Sequence, residues 1–194
     1  VARLSKQDWL TAALTALAEG GVSAVAVVPL AQRLGVTRGS FYWHFTDRTE
    51  LLRDALLWWE QQGTIAVIDQ VAPIADPRDK LRRLFLIAIT EDPASGLEPA
   101  LVAHADDPVV APILQRVTER RVAFLTEAYA ELGLSAARAR QQAVVAYSAY
   151  VGWMQLRRAT PGALPEVVDD PEALAYLVDT LTRTSEAGTA DGVR

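Results

Sequence analysis

The chain has 194 residues, 51% of them apolar, enough to bury a sizeable core and too many for a disordered tail. It has no cysteine and only two histidines, His44 and His104, which excludes disulfide staples, thiolate metal sites and histidine-rich metal centres. The net charge of −5 is unevenly spread: residues 1–50 carry five basic and four acidic side chains, the remainder fourteen and twenty. A nucleic-acid footprint on such a chain is small and N-terminal.

The longest charge-free run, Gln141 to Leu156, has 16 residues and includes three glutamines and a serine. It is too short and too polar to span a bilayer. No N-terminal stretch joins a basic cap to an apolar run, so no secretion signal is expected and a cytoplasmic location is.

Nearly every segment has helical periodicity, which predicts an all-α fold. The first helix is expected over residues 7–19, opened by Ser5 with Asp8 three residues on and stopped by Gly20-Gly21. Trp9, Leu10, Ala13, Leu14 and Leu17 form its buried stripe. Val25 to Val28 has a strand-like composition, but Pro29 assigns the segment to the start of a second helix ending at Gly35. Further helices are expected at 47–71, 77–91, 97–104, 108–132, 136–158 and 171–185. Three aspartate–proline pairs, Asp76-Pro77, Asp107-Pro108 and Asp170-Pro171, each place a capping acceptor before a proline at the first helical position. Gly133 closes one helix and Ser135 opens the next. The tail from Ser185 is expected to fray.

Residues 30–48 carry the functional signal. Two short helices meeting steeply need a small residue at the contact, a tight turn and an inward apolar set. Ala31, Gly35, and Leu30, Leu34, Val36 and Phe41 supply these. Thr37 stands where a cap belongs, opening a helix of about seven residues whose first turn, Arg38-Gly39-Ser40, is small and polar enough to enter a major groove. Phe41 and Phe45, four apart, face the core. Tyr42, Trp43 and His44 then point outward beside Arg38 and Arg48, where phosphates and thymine methyls would be met. Asp47 with Glu50 caps the following helix.

The run Leu34-Gly35-Val36-Thr37-Arg38-Gly39-Ser40-Phe41-Tyr42-Trp43-His44-Phe45, followed by Asp47-Arg48-Thr49-Glu50-Leu51-Leu52, resembles the signature of the tetracycline-repressor (TetR) family, over roughly residues 5–57. The resemblance implies a three-helix DNA-binding domain at 1–50 and a larger helical ligand-binding and dimerisation domain at 51–194. It implies a dimeric one-component regulator, a repressor released from its double-stranded DNA operator by a small molecule. By position, Thr37, Arg38, Ser40, Tyr42, Trp43 and His44 correspond to the family's DNA-facing helix, and Arg48 replaces its usual lysine. One departure stands out: Ala26, Val27 and Val28 occupy places where the family commonly has threonine and arginine on the DNA backbone. That lowers the expected affinity, or moves those contacts to Arg3 and Lys6.

The helix at 136–158 is apolar on two faces, through Val144, Tyr147, Val151 and Met154, and through Ala146, Ala149, Tyr150 and Trp153. A homodimer interface is expected at Ala149 and Gly152, with Leu174, Leu177, Val178 and Leu181 forming a second stripe. A pocket for a small apolar or drug-like ligand is expected among Trp58, Trp59, Gln62, Phe85, Ile89, His104, Phe124, Tyr147 and Trp153. Core packing is the competing account of these residues. No nucleophile elbow, phosphate-cradling loop, metal motif or paired-carboxylate constellation is present, so neither an enzyme, a metal nor a cofactor is expected. An adaptor that has lost DNA binding remains an alternative.

Overall fold

The computed structural model describes residues 4–91, 97–163 and 170–184, so Arg3 and the tail from Ser185 lie outside the described residues. All regular structure among the described residues is helical. Helix α1, Lys6–Gly20, starts on a reciprocal capping box: the Asp8 N–H donates to the Ser5 hydroxyl, and the Ser5 N–H donates to the Asp8 carboxylate at 2.7 Å. The hydroxyl of Ser5 also holds the Asp8 carboxyl below its usual value.

A short 3-10 turn, Val22–Ala24, leads to α2, Val27–Arg33. Helix α3 is only Arg38–Phe41, one turn, continued by turns rather than by the seven-residue helix expected. Thr37 has the extended backbone of a cap, yet its hydroxyl caps nothing; the Ser40 N–H is taken by the Thr37 carbonyl. Gly35, at φ 67°, makes the turn between α2 and α3 in a conformation that side chains with a Cβ resist.

Helix α4, Arg48–Glu60, runs through a π-helical turn, Gln61–Ile65, into α5, Ala66–Val71. Asp47 caps α4 by accepting the Glu50 N–H, and Glu50 accepts both the hydroxyl and the N–H of Thr46. The remaining helices are α6, Pro77–Leu86, with a π-helical extension over Ile87–Glu91; α7, Leu97–Val102; α8, Val110–Glu131; α9, Ala136–Ala159; and α10, Pro171–Thr182. Asp76 and Asp170 cap α6 and α10 as expected. Asp107 accepts the N–H groups of Val109 and Val110, so the turn it caps feeds directly into α8.

Two apolar clusters organise the packing. The first joins α1, α2, α3 and α4 and continues into Leu97 and Leu101 of α7 and Val110, Ile113 and Val117 of α8. It therefore crosses residue 50 without a break. The second joins α6, α8, α9 and α10 around Phe85, Tyr129, Tyr150 and Met154. Tyr129 is fully buried and donates its hydroxyl to the Leu181 carbonyl; burial pushes that hydroxyl's pKa up.

The α10 stripe corrects one expectation. Val178 and Leu181 are 1% and 5% exposed, inside the second cluster, and Leu174 and Leu177 pack against it. The i, i+3, i+4, i+7 pattern records burial without saying whose surface does the burying. For Val178 and Leu181 that surface belongs to the same chain, while Leu174 and Leu177 stay partly exposed.

Arg48 corrects another. Its guanidinium turns inward and donates to the carbonyls of Val22 and Val25, clipping the start of α4 to the connection before α2. Removing it takes a donor from the Val25 carbonyl and one of two from the Val22 carbonyl, which also accepts the Val25 N–H, so Arg48→Ala should lose about 1–3 kcal/mol in urea unfolding. Arg48→Lys, with one compact donor group, should recover only part of that; no loss in Arg48→Ala would refute the clip.

Candidate nucleic-acid interface and ligand cavity

The back of α3 is sealed by aromatic rings. Phe41 is 0% exposed and meets Trp9 edge-on at 5.5 Å and Phe45 in a stacked pair at 5.4 Å. The front is bare: Trp43 is 79% and Tyr42 52% exposed. Arg38 donates to the Tyr42 hydroxyl at 2.8 Å while its guanidinium stands 5.7 Å from the centre of that ring. Gly39 and Ser40 lie between them, Gly39 exposed and Ser40 half-buried. Arg38, Tyr42 and Trp43 thus share one presented surface, with Thr37 exposed at its start and His44 half-buried at its end.

Around this tip, Val28 is 49% exposed on α2, an apolar spot where a phosphate contact was in question. Lys6 pairs with Asp54 at 2.6 Å and stands over the Phe45 ring. Arg48, as described, is engaged internally. Of Lys6, Arg38 and Arg48, Arg38 is thus the one whose partner is neither a carboxylate nor a backbone carbonyl.

A cavity of about 150 Å³ lies in the helical body. Six of the expected pocket residues, Trp58, Trp59, Gln62, Phe85, Phe124 and Tyr147, line it. Ile89 instead belongs to the second apolar cluster, and Trp153 packs at its margin with Arg157 over its ring. His104 lies elsewhere, against Gly21, where an added Cβ would come within 2.2 Å of its Nε2. Aromatic or imidazole character alone could not separate cavity walls from packed neighbours.

No motif or spacing marks the charged group at the cavity wall. Arg121 donates to Glu98 at 2.7 Å, to the Thr64 hydroxyl at 2.9 Å and to the Gly63 carbonyl at 3.0 Å, and its guanidinium lies 5.4 Å from the Trp59 ring centre. Glu98 also accepts the Tyr147 hydroxyl. Burial works against the charged guanidinium, but the Glu98 carboxylate together with Tyr147 and Tyr150 keeps the Arg121 pKa above its usual value. Burial and the same carboxylate push the Tyr147 hydroxyl up to about 12. Gly63 and Thr64 belong to the π-helical turn, whose wider winding is a common device for aiming groups into a site. A second pair, Arg116 with Glu60, ties α8 to the end of α4 and holds the Glu60 carboxyl below its usual value. Among the described residues, no group of three potential metal ligands assembles, and no helix is long and apolar enough to cross a membrane.

With side-chain exposures of 14% and 4%, Arg121 and Glu98 form a buried pair. Taking away one partner abandons a charge in a poorly solvated place, so Glu98→Ala should destabilise by about 3–5 kcal/mol. Denaturant curves of the double variant Glu98→Leu/Arg121→Met should show much of that loss recovered. Additive losses in the double variant would contradict a coupled pair.

Comparison with known proteins places this geometry. Residues 10–55 match the model for bacterial regulatory proteins of the tetR family. The HTH-type transcriptional regulator AcrR of Shigella flexneri is 31% identical over 88 residues, covering 44% of this chain and 40% of that protein. The probable acrEF/envCD operon repressor of Escherichia coli K12 is 27% identical over 88 residues, 44% of this chain and 39% of that protein. The chain thus aligns with less than half the length of these curated relatives. A crystal structure of a transcriptional regulator from Rhodococcus sp. Rha1 covers 92% of this chain and 94% of its own, with a TM-score of 0.74 at 21% identity, a likeness of fold. Residues 10–55 thus carry the head motif of tetR-family bacterial regulatory proteins, and the fold over nearly the whole chain is like that of the Rhodococcus regulator.

Proposed function

We propose that the chain is a dimeric, one-component transcriptional regulator, a repressor released from its operator by a small molecule. The observation that carries this reading is the presented surface of Arg38, Tyr42 and Trp43 on a turn whose other side is sealed by Phe41 and Phe45. A solvated packing helix has no use for an indole 79% exposed, whereas a groove does. The operon repressor among the relatives supports repression as the output. A regulator of this kind works in the compartment that holds the chromosome.

The tip would enter the major groove, with Thr37, Gly39 and Ser40 allowing close approach, His44 at the margin and Arg38 supplying the cation. Because Val28, Lys6 and Arg48 offer little free charge, the salt dependence of binding should be shallow. In fluorescence anisotropy on operator-bearing duplexes, Arg38→Ala and Trp43→Ala should each weaken binding by about tenfold or more, a loss of about 1–3 kcal/mol. Unchanged affinity in both would remove DNA recognition from this surface.

Dimerisation would use the outer face of α9. Val145 is 62% and Leu156 51% exposed, with exposed Ala149 and half-buried Gly152 between them at helical spacing. An added Cβ at Gly152 would meet nothing within 4 Å, which leaves room for a second helix to approach closely. Tyr176 of α10 is also exposed, at 72%. Two half-sites about 34 Å apart require such a pair. Sedimentation should find a dimer that Ala149→Arg converts to monomer with its helicity intact; a wild-type monomer would contradict the proposal.

Release follows from the walls of the cavity. Leu14 of α1 lines it together with Trp58 and Trp59 of α4, so a ligand pushing on this wall pushes on the head. It would change the separation of the two tips, to which a duplex with fixed half-sites is sensitive.

A further inference from the structure

Size, shape and charge at the cavity narrow what can occupy it. The volume, about 150 Å³, matches that of an apolar cavity able to hold a benzene ring. Trp58, Trp59, Phe85, Phe124 and Tyr147 supply aromatic walls, and Val67, Ile68, Leu84 and Leu125 fill the spaces between them. Among the described residues lining it, Arg121 is the charged one. Its charge is already answered: Glu98 neutralises it, Glu98, Thr64 and Gly63 take three of its N–H donors, and Trp59 takes its face. Glu98 in turn is occupied by Arg121 and the Tyr147 hydroxyl. An entering anion would find no uncompensated positive charge, and an entering cation would meet a guanidinium of its own sign. Either would surrender its hydration without meeting a net opposite charge in return.

We infer that the cavity takes a compact, uncharged ligand of about one aromatic ring, and that Glu98 sets this preference by neutralising Arg121. The inference rests on the ligand-released reading above. A polar atom on the ligand can be served by Gln62, exposed at the edge of the lining. The preference is a property of the pair: without the carboxylate the same walls would surround a bare guanidinium.

Three probes of nearly equal size separate the possibilities: benzyl alcohol, benzoate and benzylamine, titrated calorimetrically into the full chain at neutral pH. Benzyl alcohol should bind about tenfold or more tightly than either ion. Ala88→Phe, which fills the cavity from the α6 wall, should abolish that binding. Glu98→Gln should strengthen benzoate relative to the alcohol by about tenfold or more. Benzoate or benzylamine binding wild type as well as the alcohol does would overturn the inference. So would no alcohol binding at millimolar concentration, or full binding by Ala88→Phe. Should Glu98→Gln not fold, the wild-type series still decides. Duplex binding by the ligand-free chain is measured in parallel. Its absence would refute the regulator reading, whereas duplex binding with an ion-selective cavity would refute only the ligand class.

Discussion

One turn of helix cannot hold itself together in water, because closing the first hydrogen-bonded turn fixes several residues for a single bond. Arg38–Phe41 is such a turn, and it persists because Phe41 is locked between Trp9 and Phe45 in the core beneath it. This clamp decides which side chains remain outside. With Phe41 and Phe45 facing in, Tyr42 and Trp43 have to face out, and Arg38 folds back onto Tyr42. The inward clip of Arg48 fixes the next helix relative to the same core. The presented surface is therefore set by packing behind it, which costs it little flexibility when a partner arrives.

The same core is continuous with the body. Trp59 belongs to the cluster around α1, lines the cavity and stacks under Arg121. Arg121 reaches Glu98 on α7, and Leu97 and Leu101 of α7 pack into the cluster around α1. The π-helical turn at Gln61–Ile65 makes this possible by offering the Gly63 carbonyl and Thr64 hydroxyl to the guanidinium. Occupancy of the cavity and posture of the head thus share side chains, a contiguous set of contacts through which a ligand could bias one by filling the other.

What could be read from the sequence had local causes. Capping at Ser5, Asp47, Asp76, Ser135 and Asp170, the turn at Gly35 and the aromatic spacing of Phe41 and Phe45 all act within four or five residues, and all appear as expected. Failures came where partners are distant in the chain. Arg48 finds carbonyls 23 and 26 residues earlier, and Arg121 finds Glu98 23 residues before it, pairings that no spacing rule encodes. The α10 stripe was legible as buried but not as buried by its own chain. His104 and Trp153 have the composition of pocket residues without the position.

The central claim is that the clamped tip reads DNA as one of a symmetric pair. A nuclease footprint of the full chain on genomic fragments tests it most directly. The account predicts protection of an inverted repeat whose half-site centres lie about 34 Å apart, or a multiple of that, and loss of protection with Tyr42→Ala. Protection that ignores sequence, or that survives in Tyr42→Ala unchanged, would contradict it.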